Sequence, residues 1–459
     1  MYLKRFLKRL APSWSVRMYH RSLAILAGHL FGNPGRKLKI IGVTGTNGKS
    51  TVVTMVGHIL RSTGKRVAWM STATERIGDR EWLNERKMTM PGHGVLQRFM
   101  QSAVRDGCTH AIIEVSSQGV SQARHIGIPF DVGVFLNITP EHIEAHGSFW
   151  QYRDAKLQFF RSLSSRRILK FGKLQDRAIV INIDDENGLM FFSVKAEAYY
   201  ATSRSGKTFM GFNKIFSPHD INVGVPMHMK FTVEGEQVDL PMMGLFNIDN
   251  VLSAIAACYA VGVSVKESAR ALSDFPGVPG RLETILENPF RVIVDYAPEP
   301  ASMHALYSVV DSIPHKRIIH VFGSAGGGRD VARRPVLGSF VGSRADIAII
   351  TNEDPYDEPP MDIIEQIAEG VRSAGKLKEG TTYFKIKDRR EAIAQALRFA
   401  RPDDLVLITG KACEQWIMGP LGTKKAWDDR RVTREELARA GYLSTKAVYN
   451  PNPQEKSRK

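Results

Sequence analysis

Apolar residues in the first part of the chain come in short unbroken runs. Residues 38–43, 67–70, 111–115 and 132–136 each read as a strand covered on both faces. Between them, 49–60 and 95–105 carry apolar residues at three- and four-residue spacing and predict amphipathic helices. Strands alternating with helices predict a parallel α/β sheet. From 178 to 245 the texture changes to short alternating segments, clearest at 227–233, and predicts an antiparallel hairpin region. A helical pattern at 247–261 closes that block. Phe275-Pro276-Gly277-Val278-Pro279-Gly280 then reads as a hinge, because Pro and Gly set unusual backbone angles. Beyond it, buried-type strands at 291–296, 317–322, 347–351 and 405–409 predict a second α/β block. The polar stretch from Asn450 predicts a frayed tail.

A chain of 459 residues, 43% hydrophobic and 24% charged, excludes a largely disordered protein and leaves room for several domains. No stretch approaches the roughly 20 apolar residues of a spanning helix. Cys108, Cys258 and Cys413 lack the spacing of a disulfide framework or a zinc site, which suits a reducing cytoplasm. The net charge of +16 points to an anionic partner: nucleotide, nucleic acid or lipid surface. Residues 1–37 hold Lys4, Arg5, Lys8, Arg9, Arg17, Arg21, Arg36 and Lys37 and no acid. Pro12, Arg17 and Arg21 break the apolar run a secretory signal needs. A basic helical segment is expected instead, packing on the first domain or making peripheral contact with anionic lipid.

Candidate chemistry begins at Gly42-Val43-Thr44-Gly45-Thr46-Asn47-Gly48-Lys49-Ser50, between a predicted strand and a predicted helix. Val43 breaks a strict Walker A pattern, but the physics fits a phosphate loop. Gly45 and Gly48 permit tight turns that aim N–H groups at phosphate, and the helix offers its positive end. Lys49 can reach the outer phosphates and Ser50 can ligate Mg²⁺. Glu114 ends a strand where such a metal would sit. Ser116 and Ser117 follow it and serve either substrate binding or helix capping. His142 and His146 stand four apart with no third ligand in view, which favours a Mg²⁺ role for His142 over zinc. Lys156 sits beside an inward stripe of Tyr152, Ala155 and Phe159, and by itself reads as a surface lysine.

These segments occur in an ordered series with Asn137-Ile138-Thr139-Pro140-Glu141-His142, Leu245-Phe246-Asn247-Ile248-Asp249-Asn250, Gly280-Arg281-Leu282-Glu283, Val294-Asp295-Tyr296-Ala297, the Gly-rich run 322–330 and Thr409-Gly410-Lys411. Over roughly residues 38–435 the series resembles the Mur ligase family of ATP-dependent amino-acid-adding enzymes, most of all its tripeptide-synthetase (MurE-type) branch. The resemblance implies an α/β fold: a central P-loop-type, mostly parallel sheet domain (38–279) and a Rossmann-like α/β C-terminal domain (280–445). A basic helical segment (1–37) would precede them and a flexible tail (446–459) follow. It implies an ADP-forming ligase that activates a peptide carboxylate as an acyl phosphate and couples it to an amino acid, the third residue of the peptidoglycan stem on UDP-MurNAc-L-Ala-D-Glu. ATP would be held by Gly45, Thr46, Asn47, Gly48, Lys49, Ser50, Thr51, Asn247, Asn250, Arg281 and Asp295. Mg²⁺ would be held by Ser50, Glu114, His142 and a Lys156 carbamylated by CO₂, with Lys49, Lys156, His142 and Arg281 catalytic. Ser116, Ser117, Gln122 and Arg124 would touch the acceptor, and Glu353, Asp354, Tyr356 and Glu414 the incoming amino acid.

The sequence also departs from the branch. Its members carry a folded UDP-holding domain before the phosphate loop, and the 38 residues here are too few for one. Asp354 and Tyr356 stand where diaminopimelate-adding members have Asn and Arg, and an acidic Glu353-Asp354 pair suits a cationic side chain. Cys413 stands where the family has His, and a buried thiol is expected rather than a nucleophile. Two other readings compete. One is a Mur-type ligase on a non-UDP acceptor, folylpolyglutamate- or cyanophycin-like. The other is a non-catalytic, nucleotide-dependent nucleic-acid binder, though no nucleic-acid-binding signature is present. Small-molecule substrates, no specific nucleic acid and a monomer are expected.

Overall fold

A computed structural model describes residues 13–139, 147–164, 169–224, 228–328 and 331–444. Helix α1 (Ser13–Leu30) leads in. It buries Ala24 and Ala27 and leaves Met18, Tyr19, Ile25, Leu26 and Leu30 exposed. Among the described residues no helix is long and apolar enough to cross a membrane.

The first sheet takes strands β1 (Lys39–Thr44), β2 (Val67–Met70), β3 (Thr74–Ile77), β4 (Arg80–Leu83), β5 (His110–Glu114) and β6 (Val132–Phe135). After the short pair β7 (Leu169–Lys170) and β8 (Lys173–Leu174) come β9 (Ala178–Asn182), β10 (Ala198–Thr202) and β11 (Lys214–Phe216). The spatial order is β11-β10-β9-β6-β1-β5-β2-β3-β4. Pairings from β11 to β2 are parallel, and β3 and β4 add an antiparallel hairpin at one edge. Helices α2 (Lys49–Ser62), α3 (His93–Arg105), α4 (Ser117–Ser121), α5 (Phe149–Ser164), α6 (Phe246–Tyr259) and α7 (Val265–Leu272) cover it. Neighbouring strand residues point to opposite faces. Ile41 packs with Val52, Val56 and Val251 from α2 and α6, while Ile40 packs with Leu96, Phe99 and Phe159 from α3 and α5. Both faces are covered, which is why β1 reads as an unbroken apolar run.

One expectation needs correction. The antiparallel region is narrower than the texture of 178–245 suggested: β9, β10 and β11 are parallel strands of the main sheet. The reason is burial, since all five residues of β9 are buried and only a two-faced parallel position accommodates such a run. Antiparallel pairing is confined to β12 (Pro218–Gly224), β13 (His228–Val233) and β14 (Glu236–Leu240). There Met229, Phe231 and Val233 point to the α2/α6 core.

The second sheet contains β15 (Glu283–Leu286), β16 (Arg291–Asp295), β17 (Ile318–Phe322), β18 (Ile347–Thr351), β19 (Tyr383–Ile386) and β20 (Leu405–Thr409). Its order is β15-β16-β20-β17-β18-β19, parallel except for β15 at the edge. Helices α8 (Pro300–Val310), α9 (Arg333–Arg344) and α10 (Pro360–Ala374) cover one face, and α11 (Arg389–Phe399) and α12 (Asp429–Arg439) the other. Helices α9 and α10 touch backbone to backbone: a Cβ on Gly338 would fall 1.9 Å from the Ile367 carbonyl oxygen. A hairpin of β21 (Trp416–Met418) and β22 (Lys424–Ala426) reaches back to the first half, where Trp416 Nε1 donates to the Glu85 carbonyl at 2.9 Å. The protein is thus α/β, built on two mixed sheets with their parallel strands at the centre.

Candidate active site

Strand β1 ends at the carboxyl edge of the first sheet, and the chain turns through Gly45-Thr46-Asn47-Gly48 into α2. Gly48 adopts φ 83°, and a Cβ there would stand 2.2 Å from Asn250 Oδ1. Asn137, just past β6, braces the turn. Its Oδ1 accepts from the N–H of Thr46 at 3.0 Å and of Asn47 at 2.9 Å, and its Nδ2 donates to the Asn47 carbonyl at 3.2 Å. Lys49 Nζ donates to the Thr46 carbonyl at 2.7 Å. A helix N-terminus, a glycine turn and an ammonium converge here, which makes the turn an anion cradle. Thr51 is buried in the first turn of α2.

Glu114 ends β5 in register with Val43 and is buried beside the cradle. Its Oε2 accepts from Ser50 Oγ at 2.8 Å and from the Thr72 N–H at 2.7 Å, its Oε1 accepts from Thr72 Oγ1 at 3.1 Å, and Lys49 Nζ lies 4.0 Å away. A hydroxyl and a carboxylate side by side are the hard oxygen donors that suit Mg²⁺. Among the described residues no cluster of three His, Cys, Asp or Glu could hold a metal. That too is compatible with Mg²⁺, which takes one or two protein ligands and fills its octahedron with phosphate and water.

The cradle opens on a cavity of about 480 Å³, whose opposite wall is the start of the second sheet. Arg281 stands in that wall, its guanidinium 4.3 Å from the centroid of the Tyr296 ring. Its turn is clamped from two sides: Glu283 Oε2 accepts from the Gly280 N–H at 2.8 Å, and Asp295 Oδ2 accepts from the Leu282 N–H at 2.7 Å. Burial raises the Asp295 carboxyl above its usual value, opposed by Arg281 and these N–H donors. Asn250 Nδ2 donates to Asn247 Oδ1 at 2.9 Å, and Asn247 Nδ2 to the Met243 carbonyl at 2.7 Å. Both asparagines line the cavity beneath the glycine turn. Thr72 and Thr89, which no motif marks, also line it, as does Asp249 of the 245–250 segment. Burial lifts the Asp249 carboxyl to about 6 against the pull of Arg204.

Lys156 overturns its bare sequence reading as a surface residue. It is 1% exposed on α5, its Nζ donates to the Gly45 carbonyl at 2.8 Å, and it lies 4.5 Å from the centroid of the Tyr152 ring. Tyr152 in turn bonds Thr46 Oγ1 at 3.0 Å, so α5 backs the glycine turn. His142 lies outside the described residues.

Ser116 caps α4, its Oγ accepting from the Gly119 N–H at 3.2 Å, and Ser117 is buried. Arg124 donates to Gln122 Oε1 at 2.6 Å and to the Met90 carbonyl. These four residues bracket α4 and are not part of the cavity wall.

Glu353, Asp354 and Tyr356 follow β18, and Glu414 follows β20, all at the carboxyl edge of the second sheet. Lys411, fully buried, donates to both Asp354 oxygens at 3.0 Å and to Glu414. A second ammonium arrives from the first half of the chain. Lys87, in the loop after β4, bonds Asp354 and lies 3.0 Å from Glu414 Oε2. Against the push of burial, Lys411 and Lys87 hold the Asp354 carboxyl below its usual value. The acidic pair read from sequence is therefore split: Asp354 is already met by two lysines. Glu353 is buried, and its Oε2 has no hydrogen-bond partner among the described residues. Tyr356 adopts φ 52° and packs its ring over Gly327. The Cys413 thiol is buried and pushed up to about 12, which leaves it inert.

Two family models match the chain: the Mur ligase middle domain over residues 43–258 and the Mur ligase glutamate ligase domain over 280–412. A UDP-N-acetylmuramyl-tripeptide synthetase of Roseiflexus sp. (strain RS-1) is 35% identical over 439 residues, covering 94% of this chain and 84% of that protein. A UDP-N-acetylmuramoyl-L-alanyl-D-glutamate--2,6-diaminopimelate ligase of Geobacillus thermodenitrificans (strain NG80-2) is 35% identical over 417 residues, 90% of this chain and 82% of that one. A solved structure of a ligase of the latter description superposes with a TM-score of 0.57 at 25% identity, over 88% of this chain and 79% of the other.

Proposed function

This chain belongs to the Mur ligase family, and from that premise we propose that it adds the third residue of the peptidoglycan stem, joining an amino acid to the peptide carboxylate of UDP-MurNAc-L-Ala-D-Glu. The activity is that of an ATP-dependent, ADP-forming acid–amino-acid ligase. The observation that carries the reading is the shared cavity, with Lys49 on one wall and Arg281 on the other. In this reading residues 38–279 form the P-loop-type ATP-binding domain and 280–445 the Rossmann-like domain that closes on it, with residues 275–280 as the hinge.

The backbone N–H groups of residues 45–50 and the Lys49 ammonium bind the β- and γ-phosphates of ATP. Arg281 neutralises the terminal phosphoryl group as the acceptor carboxylate attacks it, which yields an acyl phosphate and ADP. Ser50 and Glu114 would hold Mg²⁺, which would contribute positive charge against the phosphoryl oxygens. The α-amine of the amino acid then attacks the acyl carbon and phosphate departs, leaving the amide. Ser116, Ser117, Gln122 and Arg124 orient the acceptor, while the 353–356 loop and Glu414 orient the amine. Catalysis here is positioning and charge neutralisation. Asn247 and Asn250 line the adenine end, and Asp295 fixes the turn that carries Arg281. Lys156 touches the back of the glycine turn and is the residue proposed to carry a carbamate, whose oxygens, unlike an ammonium, can meet a cation.

An ADP-release assay tests the reading. UDP-MurNAc-L-Ala-D-Glu and its UDP-free dipeptide are each offered with the common amino acids and diaminopimelate. Release must need both acceptor and amino acid and must vanish in Lys49→Ala; full activity of that variant would overturn the assignment. Under ¹³CO₂, a carbamate carbon resonance that is absent from Lys156→Arg checks the modification.

A further inference from the structure

A second cavity, of about 530 Å³, opens where α1 and the turn after it meet the 125–130 loop and the end of α5. Its charged wall residues are Arg21 on α1, Arg36 in the turn, and Arg177 just before β9; no Asp or Glu lines it. Among the described residues neither Arg21 nor Arg36 forms an ion pair, and both are exposed. Asp131, beside the wall residue Phe130, is already committed: its Oδ2 accepts from Lys170 Nζ at 2.6 Å and from the Ile40 N–H at 2.7 Å. Arg21 and Arg36 therefore converge on a concavity whose wall, among the described residues, carries no acid.

His125 supplies an independent sign. It lines the cavity, is only 5% exposed, and its Nδ1 has no hydrogen-bond partner among the described residues. Burial, aided by the charge of Arg21, lowers this imidazole to about 4, so it is neutral near pH 7. A buried ring nitrogen left without a partner is destabilising, and a ligand that reached it would relieve that. Phe130 and Leu163 give the cavity an apolar floor. Guanidinium forks match the oxygens of phosphate bidentately.

We propose that this cavity binds a phosphate- or diphosphate-bearing ligand, with its anionic group held by Arg21, Arg36 and His125 and its body laid on Phe130 and Leu163. A soluble diphosphate ester and a phospholipid headgroup share this chemistry. The exposed apolar residues of α1 suit the second source, and the cavity volume suits the first.

Isothermal titration with pyrophosphate tests the site at fixed ionic strength, in a Lys49→Ala background that silences the nucleotide cradle. Sedimentation with phosphatidylcholine vesicles, with and without phosphatidic acid, tests the headgroup source. Arg21→Ala/Arg36→Ala removes two exposed side chains and leaves the melting curve unchanged. It is expected to weaken pyrophosphate binding roughly tenfold or more. Arg105→Ala/Arg270→Ala removes the same charge from exposed positions elsewhere and is expected to leave binding intact. Loss confined to the first double variant supports the site, in the soluble form if pyrophosphate reads it and in the headgroup form if only phosphatidic acid vesicles do. Absence of both signals in the parent protein overturns the proposal. So does equal loss in the two double variants, or retention of binding by Arg21→Ala/Arg36→Ala.

Discussion

Replacing Lys87 with methionine removes an ammonium that the first half of the chain lends to the acids of the second. Lys87 touches Asp354 and lies 3.0 Å from Glu414, and Lys411 meets the same two carboxylates from its own sheet. The side chains are 12%, 8%, 15% and 0% exposed, so water screens the four charges weakly. Two acids and two ammoniums balance, and Lys87→Met leaves one buried negative charge in excess. Two unit charges about 3 Å apart attract by roughly 5 kcal/mol at an effective dielectric near 20, before desolvation is counted. Breaking a buried pair costs about 3–5 kcal/mol when the survivor stands alone; with Lys411 still in place the loss should be about 2–3 kcal/mol. Neither hydrophobic core contains Lys87, so the loss falls on the docking of the two halves. Saturating ADP release should fall roughly 30- to 100-fold while the thermal melt of the cores holds. A cycle with Asp354→Asn isolates the pair, with an expected coupling above about 1 kcal/mol. Additive effects of the two substitutions, or an unchanged rate in Lys87→Met, would refute the reasoning.

Three more outcomes follow from the same coordinates. Gly48→Ala should abolish most ADP release: the left-handed φ costs about 1–2 kcal/mol and the new Cβ meets Asn250 Oδ1 at 2.2 Å. Adding Asn250→Ala should recover part of the lost melting temperature by removing the clash, while the φ strain remains. Asp429 and Arg389, both at most 2% exposed, form a bidentate pair at 2.7 and 2.8 Å, and Asp429 also accepts from the Ala412 N–H. Asp429→Asn should lower urea-denaturation stability by about 3–5 kcal/mol and loosen the segment carrying Lys411 and Glu414; a loss under about 1 kcal/mol would contradict a stabilising pair. Burial holds His110 and His125 down to about 4 and His320 to about 3. Their unfolded value is about 6.5, so the stability they contribute is present above that pH and is lost as pH falls towards 4, by about 1.4 kcal/mol per pH unit for each ring. His320→Gln, which keeps a polar side chain between Tyr307 and Thr409, should flatten the acid limb of a urea-denaturation series by one proton. An unchanged slope would place that proton elsewhere.

The local order of the chain was legible because it rests on local physics. The unbroken apolar run through β1, the glycines at 45 and 48 and the Lys-Ser pair after them need only backbone sterics and burial to be read, and the strand, turn and helix form where they predict them. The texture of 178–216 misled because hydropathy reports whether a strand is covered and not which strand lies beside it; β9 joins β6 in parallel across some 46 residues of intervening chain. Lys156 misled for a related reason. Nothing on α5 announces that its inward face closes on the Gly45 carbonyl.

What the sequence by itself determined is the set of parts: two stretches of strands alternating with helices, a glycine turn between β1 and α2, and a family series spanning nearly all of them. Only the tertiary structure decided which charges face one another. Lys87 and Asp354 are 267 positions apart and belong to loops of different sheets, and no periodicity or motif encodes that encounter. A charge's partner is set by where independent elements come to rest. The same holds for Arg21 and Arg36 beside His125, where the absence of an acid from the described wall belongs to a concavity rather than to any run of residues.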